Sequence, residues 1–501
     1  MRCVKIISLT ILLFCIVNLS FATPSNEISP EINETMPQKL DLAPINPEFI
    51  KYIGDLENKS NTDIYEQSFS LETDELAVEN NFTNGIIPSP LDNSHIEETY
   101  TYNANEIDQL STSEEPLPAY YNLRYENRVT DVRNQYPAGT CWAHAAYASL
   151  ESCMIPNYGF YDFSENHMKN ILSDYYPEGF DRKSNDGGNH NMALAYLARW
   201  TGPVYETDDP YDGTSNYSET NIPERKHIQE TIYTPPRNDD NLRDNDHIKH
   251  MIMEYGAVYS RFDVNVNGFD GNKITYYYNG NTYDGGHAVA LVGWNDNYPK
   301  ENFVIEPPEN GAFICKNSWG IGSGDEGYFY ISYYEKTFEY KAIFVGAEEV
   351  DNYDRIYQYD PLGHTSNIAY SWSGNVFTAN SDEYLTAISF YTPDEMTDYE
   401  LYIHKDPDQG PINSSGNVYS KSGTIEYAGY HTIDLNYPIK LENNQNFSVV
   451  INFTDPDYAY LVALELPIEC QSSKATANPG EGFISSDGNS WSDITKNHEN
   501  T

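Results

Sequence analysis

The sequence predicts an α+β domain followed by an all-β domain, and three observations support this division. The chain has 501 residues, which is enough for two or three separate hydrophobic cores. Between about residues 117 and 346, a helix-like apolar segment is followed by short apolar runs punctuated by glycine. From about residue 351 onward, strand-like runs alternate with turns rich in Gly, Asn, Asp and Pro, as in a β-sandwich.

The first domain is expected to contain one buried helix and several short strands. Ala, Leu and Met recur at helical spacing from Trp142 to Ile155, which predicts a helix directly after Cys141. Residues 313–315 and 328–331 are rich in aromatic and β-branched side chains, which predicts strands. In the second domain, the expected strands are residues 385–391, 399–403, 432–435, 447–453 and 460–464.

A polar leader precedes both domains. The basic start, the apolar run 6–17 and the small residues around Ala22 are typical of a signal peptide. We therefore expect a secreted or cell-surface protein with no transmembrane segment. Residues 23–115 are acidic and lack a long apolar periodicity. Two interpretations of this leader stay open: a disordered or loosely helical segment, or a propeptide that covers a cleft until it is removed.

Charge and cysteine content limit the possible partners and cross-links. With 29 basic and 76 acidic residues, the formal net charge is -47. Such a surface repels phosphate backbones and anionic lipids, so no nucleic-acid partner is expected. Cysteine stands beyond the signal peptide at positions 141, 153, 315 and 470. If Cys141 is kept free for chemistry, disulfide pairing among Cys153, Cys315 and Cys470 stays open.

Three segments that lie far apart in the sequence carry the residue types needed for thiol acyl transfer. In the first, Gln135 lies shortly before Cys141, which opens the predicted helix after a Gly-containing loop. The second sets His287 behind two glycines on a predicted buried strand. The third is Lys-Asn-Ser-Trp-Gly, which contains Asn317 and Trp319. Each segment alone is a weak signal, but together they supply one complete chemistry.

Each of these side chains meets a separate chemical need. The positive end of a helix favours the thiolate of Cys141, which would attack a carbonyl carbon. His287 would transfer the proton, and the amide of Asn317 would orient its ring. The side-chain amide of Gln135 and the backbone N–H of Cys141 would stabilise the oxyanion.

The segments resemble the three signatures of the papain family of cysteine peptidases: Gln before a Cys-Trp pair, Gly-His-Ala, and Asn-Ser-Trp-Gly. The order Cys, His, Asn along the chain is also that of the family. The resemblance covers roughly residues 115–346. It implies a two-lobed catalytic domain, with a helical lobe and a β-barrel-like lobe, that needs no cofactor and no metal ion.

The same resemblance assigns roles to further residues. Gly187 and Gly188 resemble the glycine pair whose backbone binds an extended substrate. Trp142 follows the nucleophile as in the family, and Trp319 would shield the His–Asn contact from water. His144 stands where the family commonly has Phe, and we interpret it as a packing residue rather than a second base.

The C-terminal region has a resemblance of its own. Residues 375–379, 429–433 and 482–485 are similar to the lectin-like β-domain found behind some prokaryotic papain-type peptidases. This implies a sandwich and makes carbohydrate or a cell surface a candidate partner.

Residues 263–274 resemble the start of a calcium-binding loop, but Ile274 stands where the clamping Glu is needed, so a turn is expected there.

We therefore predict a signal peptide (1–22), an acidic leader or propeptide (23–115), a papain-like peptidase domain (116–348) and a lectin-like β-sandwich domain (351–501). The predicted function is a secreted cysteine endopeptidase that acts on a protein or peptide substrate through an acyl-thioester on Cys141. Two alternatives stay open. One is an adhesion or glycan-binding protein with an incidental peptidase fold, and the other is a hydrolase of cell-wall peptides.

Overall fold

A computed structural model describes residues 40–62, 85–96, 116–237 and 241–495. The predicted signal peptide lies outside these ranges, as does much of the predicted leader. Among the described residues, no helix is both long enough and apolar enough to cross a membrane.

The helices of the described residues are α1 (Pro47–Thr62), α2 (Cys141–Tyr158), α3 (Glu165–Ile171), α4 (His190–Ala198) and α5 (Asp246–Glu254). The predicted buried helix is α2, and Cys141 is its first residue. Its side chains are buried from Cys141 to Met154 on every side, as expected for an apolar helix enclosed in a core. Helix α4 begins where the Asn189 side chain accepts a hydrogen bond from the N–H of Met192.

The strands are β1 (Tyr120–Asn122), β2 (His227–Tyr233), β3 (Val258–Val264), β4 (Thr275–Tyr276), β5 (Gly285–Asn295), β6 (Ala312–Lys316), β7 (Tyr328–Ser332), β8 (Glu339–Glu348), β9 (Ser366–Ile368), β10 (Trp372–Thr378), β11 (Glu383–Thr392), β12 (Thr397–Lys405), β13 (Tyr419–Ile425), β14 (Gly429–Leu441), β15 (Asn446–Thr454), β16 (Val462–Leu464), β17 (Gly482–Ser485) and β18 (Ser492–Asp493). Every strand predicted from the sequence is present. The predicted α+β fold with an all-β domain behind it is confirmed.

The domain that begins near residue 116 is built around one sheet, which also includes two strands of the C-terminal domain. A ten-stranded sheet has the order β11-β14-β2-β8-β3-β5-β6-β7-β4, with β1 beside β5. Helix α2 packs against β5 and β8, and α3 and α4 pack against α2. The helices α2–α4 thus form one lobe and the strands around β5 form the other, with Cys141 between them.

The C-terminal strands form a sandwich. A six-stranded sheet, β13-β12-β15-β10-β17-β18, faces β11 and β14. Between the two layers, Phe390 and Phe453 approach with ring centroids 5.5 Å apart, and Leu401 is fully buried beside them. The alternation of buried and exposed residues along β12 matches a strand with one face in the core.

The two domains share main-chain hydrogen bonds, which the sequence did not predict. Strand β14 of the sandwich pairs antiparallel with β2, from Gly429 opposite Ile232 to His431 opposite Glu230. Gly429 has φ 148°, and a Cβ at this position would lie 1.9 Å from the carbonyl oxygen of Thr231. Glycine therefore allows the backbones to approach, and the sheet continues from one domain into the other.

Candidate active site

Cys141 lies at the N-terminus of α2, and its side chain is completely buried. The N–H of Ala288 donates to Sγ at 3.3 Å. Burial raises the pKa of Cys141 to about 12, although backbone N–H groups of Ala288, Trp142 and Cys141 act in the opposite direction. The thiolate expected from the helix terminus is therefore not the favoured form here, because desolvation outweighs it.

The pairing of β5 with β6 brings His287 and Asn317 together. Asn317 Oδ1 accepts hydrogen bonds from His287 Nε2 and from the Ser318 N–H, each at 2.8 Å. Because an amide oxygen only accepts, Nε2 carries the proton and Nδ1 is the basic atom of the ring. Burial lowers the pKa of His287 to about 4, although the bond to Asn317 raises it.

Two aromatic rings confine the imidazole of His287. Trp319 stacks on it, with ring centroids 4.6 Å apart and an interplanar angle of 25°. Phe262 meets its edge at 5.8 Å. The ring has little freedom to rotate, so its two nitrogens keep their directions.

Gln135 is tied to the loop that carries Asn317. Its backbone N–H donates to the Ser318 carbonyl at 2.8 Å, and its Oε1 accepts from Ser318 Oγ at 2.7 Å. Its Nε2 donates to the Ala138 carbonyl at 2.9 Å. Because an amide nitrogen carries two N–H groups, this contact leaves one of them for an oxyanion.

Comparison with known families agrees with this arrangement. Residues 117–344 match the family described as papain family cysteine protease, and residues 356–501 match the family described as lectin like domain. The chain carries a papain-family cysteine protease domain. A lectin-like domain follows it.

Individual relatives match one or both of these domains. Cathepsin J of Mus musculus is 29% identical over 221 residues, which are 43% of this chain, and the match spans only 60% of the mouse protein. A crystal structure of the cysteine protease and lectin-like domains of Cwp84, a surface layer associated protein of Clostridium difficile, superposes with a TM-score of 0.73 at 25% identity. It covers 91% of this chain and 95% of that one. A Cwp84 variant after propeptide cleavage is 28% identical with a TM-score of 0.67, covering 75% of this chain and 95% of that one.

In the papain-family domain, the backbone of Gly188 bonds an extended segment of the leader. Its N–H donates to the Gly85 carbonyl at 3.2 Å, and its carbonyl accepts from the Ile87 N–H at 3.0 Å. A Cβ on Gly188 would lie 2.5 Å from the ring of Trp142, so only glycine fits. Unlike the carbonyl of Gly188, the Gly187 carbonyl accepts a hydrogen bond from a side chain of the same domain, Arg182 Nε, at 2.6 Å.

The leader fills the cleft above the thiol. Gly85 donates its N–H to the Gly286 carbonyl at 3.3 Å, and a Cβ on Gly85 would lie 2.2 Å from Cys141 Sγ. Farther along, Asn189 Nδ2 donates to the Ile87 carbonyl at 3.1 Å. This segment explains why Cys141 is inaccessible to solvent.

Other parts of the leader dock on both domains. Leu42 forms an antiparallel bridge with Ile368 of the sandwich, and the ring of His95 stacks on Tyr458 at 3.8 Å. Phe49 of α1 is fully buried. The described parts of the leader thus contact the C-terminal domain as well as the cleft.

A group of buried charges behind the site was not predicted. Lys316 Nζ donates to Thr130 Oγ1 at 3.0 Å, and Thr130 Oγ1 donates to Glu151. A cavity of about 20 Å³ separates this group from Glu165 and His144. Burial raises the pKa of both glutamates to about 7. Buried carboxylates spaced along helices have no sequence motif of their own. Lys316 lies beside Asn317 in the third segment, and Glu165 follows Phe163-Ser164, which resembles the helix start of the family.

His144 contacts this group rather than the thiol. Its Nδ1 lies 2.9 Å from the Thr140 carbonyl, and its Nε2 lies 3.9 Å from Glu165 Oε1. Burial lowers the pKa of His144 to about 4. These contacts fit the interpretation of His144 as a packing residue.

The calcium-like segment forms a turn, as predicted. Asn265 Oδ1 accepts from the Asn267 N–H at 3.0 Å, which closes a short 3-10 turn between β3 and β4. Within the described ranges, no group of three or more His, Cys, Asp or Glu side chains is arranged to hold a metal ion. None of the four cysteines that the structure describes forms a disulfide.

Proposed function

We propose that the protein is an exported cysteine endopeptidase that hydrolyses peptide bonds through an acyl-thioester on Cys141. The observation that carries the proposal is the contact of the Ala288 N–H with Cys141 Sγ at 3.3 Å, because it sets the neighbouring His287 beside the thiol. The bond from His287 to Asn317 supplies the orientation that a base requires.

The mechanism follows from these contacts. His287 Nδ1 accepts the thiol proton, and the thiolate attacks the carbonyl carbon of the substrate. The second N–H of the Gln135 amide and the backbone N–H of Cys141 stabilise the oxyanion. The protonated His287 then protonates the leaving amine, and water releases the acyl group by the same route in reverse.

We propose further that the leader is a propeptide. It shields the thiol from water, and burial raises the pKa of Cys141 while it lowers that of His287, so both groups stay neutral. Removal of the leader admits solvent and favours the thiolate–imidazolium pair. Gly188, which bonds the leader backbone, then bonds the substrate backbone.

The predicted domain limits, the signal peptide and a secreted or cell-surface location are part of the same proposal. The lectin-like domain would bind carbohydrate or a cell surface. Because its sheet continues into the peptidase sheet through Gly429, such binding would set the direction in which the cleft faces. A pull-down tests this binding: the Cys141→Ala variant should sediment with isolated cell-wall material and stay in solution without it.

The experiment that tests the peptidase compares Cys141→Ala with Cys153→Ala after leader removal. Cys153 is also a buried free thiol of α2, so it is a matched control. We expect Cys141→Ala to lose all turnover of casein and Cys153→Ala to retain it. Turnover retained by Cys141→Ala would reject Cys141 as the nucleophile. Absence of turnover in the native leader-free protein would favour the adhesion alternative. Activity on wall peptides but not on casein would favour the cell-wall alternative.

A further inference from the structure

One side-chain subsite of the cleft lies on a defined face of the β3–β5 pair. Arg261 pairs with Ala288, and Asp263 pairs with Gly286. Alternate residues of a strand share a face, so these four residues lie together, on the face opposite His287. A Cβ on Gly286 would point at Ile86 of the leader, 2.9 Å from its Cβ. Ile86 therefore occupies the space beside Gly286.

A charged side chain of the leader also reaches this face. Glu48 Oε1 of α1 lies 2.9 Å from Arg261 Nη2. On its other side, Arg261 Nε lies 2.9 Å from Glu339, which also binds Lys341 at 2.8 Å. Arg261 is only 7% exposed, whereas the Glu48 side chain is 46% exposed. The arginine is thus built into the sheet, and the glutamate is a removable partner.

Removal of the leader takes away Ile86 and Glu48 together. Arg261 keeps Glu339 at Nε and the more distant Asp263, 3.9 Å from Nη2, but Nη2 loses the carboxylate of Glu48 to which it donates a hydrogen bond. Lys341 and Arg261 hold the pKa of Glu339 at about 2, so Glu339 stays a carboxylate beside the cationic Arg261. A buried guanidinium N–H that has lost its partner favours a new anion over water, because charge-assisted hydrogen bonds are the stronger ones.

We infer that Arg261 is a specificity-determining residue that binds the carboxylate of a glutamate side chain of the substrate. This rests on the proposed peptidase function. The methylene stem of such a glutamate replaces Ile86 against Gly286, and its carboxylate replaces that of Glu48 at Nη2. Gly85 lies over the thiol, and Ile86, the residue after it, pairs in parallel with Gly188. A substrate that runs through the cleft in the direction opposite to the leader therefore places this glutamate second before the cleaved bond.

The test measures kcat/KM of the leader-free enzyme on peptides that differ only by Glu, Gln or Leu at that second position. We expect glutamate to exceed glutamine by about tenfold or more, as for one charge-assisted bond. The ratio should fall toward one below about pH 4, where the substrate carboxyl becomes protonated. Arg261→Gln should lower the Glu/Gln ratio of kcat/KM to about one, and Arg261→Lys should give an intermediate ratio. Arg243→Gln, which removes an exposed ion pair with Glu309, should leave it unchanged.

The outcomes separate this inference from the function on which it rests. Turnover of all peptides with a Glu/Gln ratio near one in the native enzyme overturns the assignment of Arg261 alone. Absence of turnover of every peptide overturns the peptidase proposal and this inference with it. If Arg261→Gln does not fold, the pH dependence of the native ratio and the Arg261→Lys variant decide the question.

Discussion

Gly85 of the leader lies directly over the thiol of Cys141, and a Cβ at this position would come within 2.2 Å of Sγ. The same residue donates its N–H to Gly286 and accepts from Gly188, one on each side of the cleft. The chain therefore contains its own occupant of the cleft, bound through backbone atoms. We expect a peptide that binds in its place to use the same two glycines.

The Asn317→Ala variant removes the acceptor of His287 Nε2. The loss of one buried hydrogen bond, about 1–3 kcal/mol, should lower kcat/KM by roughly 10- to 100-fold. Asn317→Asp keeps an acceptor and adds a negative charge, which raises the pKa of His287. It should therefore move the alkaline limb of the pH–rate profile to higher pH. Unchanged kcat/KM in Asn317→Ala would show that this contact has no orienting role.

The Gly188→Ala variant tests the substrate backbone site. The added Cβ would lie 2.5 Å from the ring of Trp142, so the backbone must shift and both of its hydrogen bonds to an extended chain weaken. We expect KM for a peptide substrate to rise by about tenfold or more, with a smaller change in kcat. Gly322→Ala is the control, because a Cβ there meets nothing within 4 Å. Similar KM values for the two variants would argue against the assignment.

The elements of the site could be predicted because their signals are local. A helix starting at Cys141 follows from apolar spacing, and the strand carrying His287 follows from a glycine-led apolar run. What the sequence could not give is the pairing of distant residues. The contact of Gly85 with Gly188 and that of Glu48 with Arg261 join segments that share no motif.

The raised pKa of Cys141 in this structure could not be predicted from the sequence for a related reason. A sequence shows that Cys141 begins a helix, which favours the thiolate. The burial that raises the pKa of Cys141 involves the leader, and where the leader docks becomes known only from the folded structure. The pairing of β14 with β2, which makes the sheet continuous, could not be predicted from the sequence either. Gly429 was noted only as part of a lectin-like motif, and its fit against Thr231 depends on the packing of two domains.

The Glu165→Gln variant tests the buried charges behind the site. Burial raises the pKa of Glu165 from 4.5 to about 7, so the folded state holds a proton that the unfolded state releases. The resulting stabilisation is complete below about pH 4.5 and is lost as the pH rises through 7. Relative to the native protein, the variant should therefore gain about 1–3 kcal/mol in free energy of unfolding between pH 5 and pH 8.

Urea titrations at the two pH values measure this difference. Glu306→Gln is the control, because Glu306 is a largely exposed partner of Lys300. A Glu165→Gln difference that does not change with pH would show that the carboxyl is ionised in the folded protein throughout this range.

The Gly429→Ala variant tests the junction of the two domains. A Cβ would clash with the Thr231 carbonyl oxygen at 1.9 Å, and φ of 148° is unfavourable for alanine. We expect a loss of about 1–3 kcal/mol and a calorimetric transition that separates into two, one for each domain. Gly271→Ala, where a Cβ meets nothing within 4 Å, should keep the native profile. A single unshifted transition in Gly429→Ala would mean that the junction contributes little.

The central claim, that Cys141 is a nucleophile masked by the leader, is tested most directly by labelling with a thiol-directed epoxide at pH 7, read by mass spectrometry. Before leader removal, the raised pKa of Cys141 and its burial should make labelling very slow. After removal, labelling should be about a hundredfold faster or more, with the adduct on Cys141 and none on Cys153 or Cys315. Equal rates before and after removal, or an adduct on another cysteine, would contradict the account.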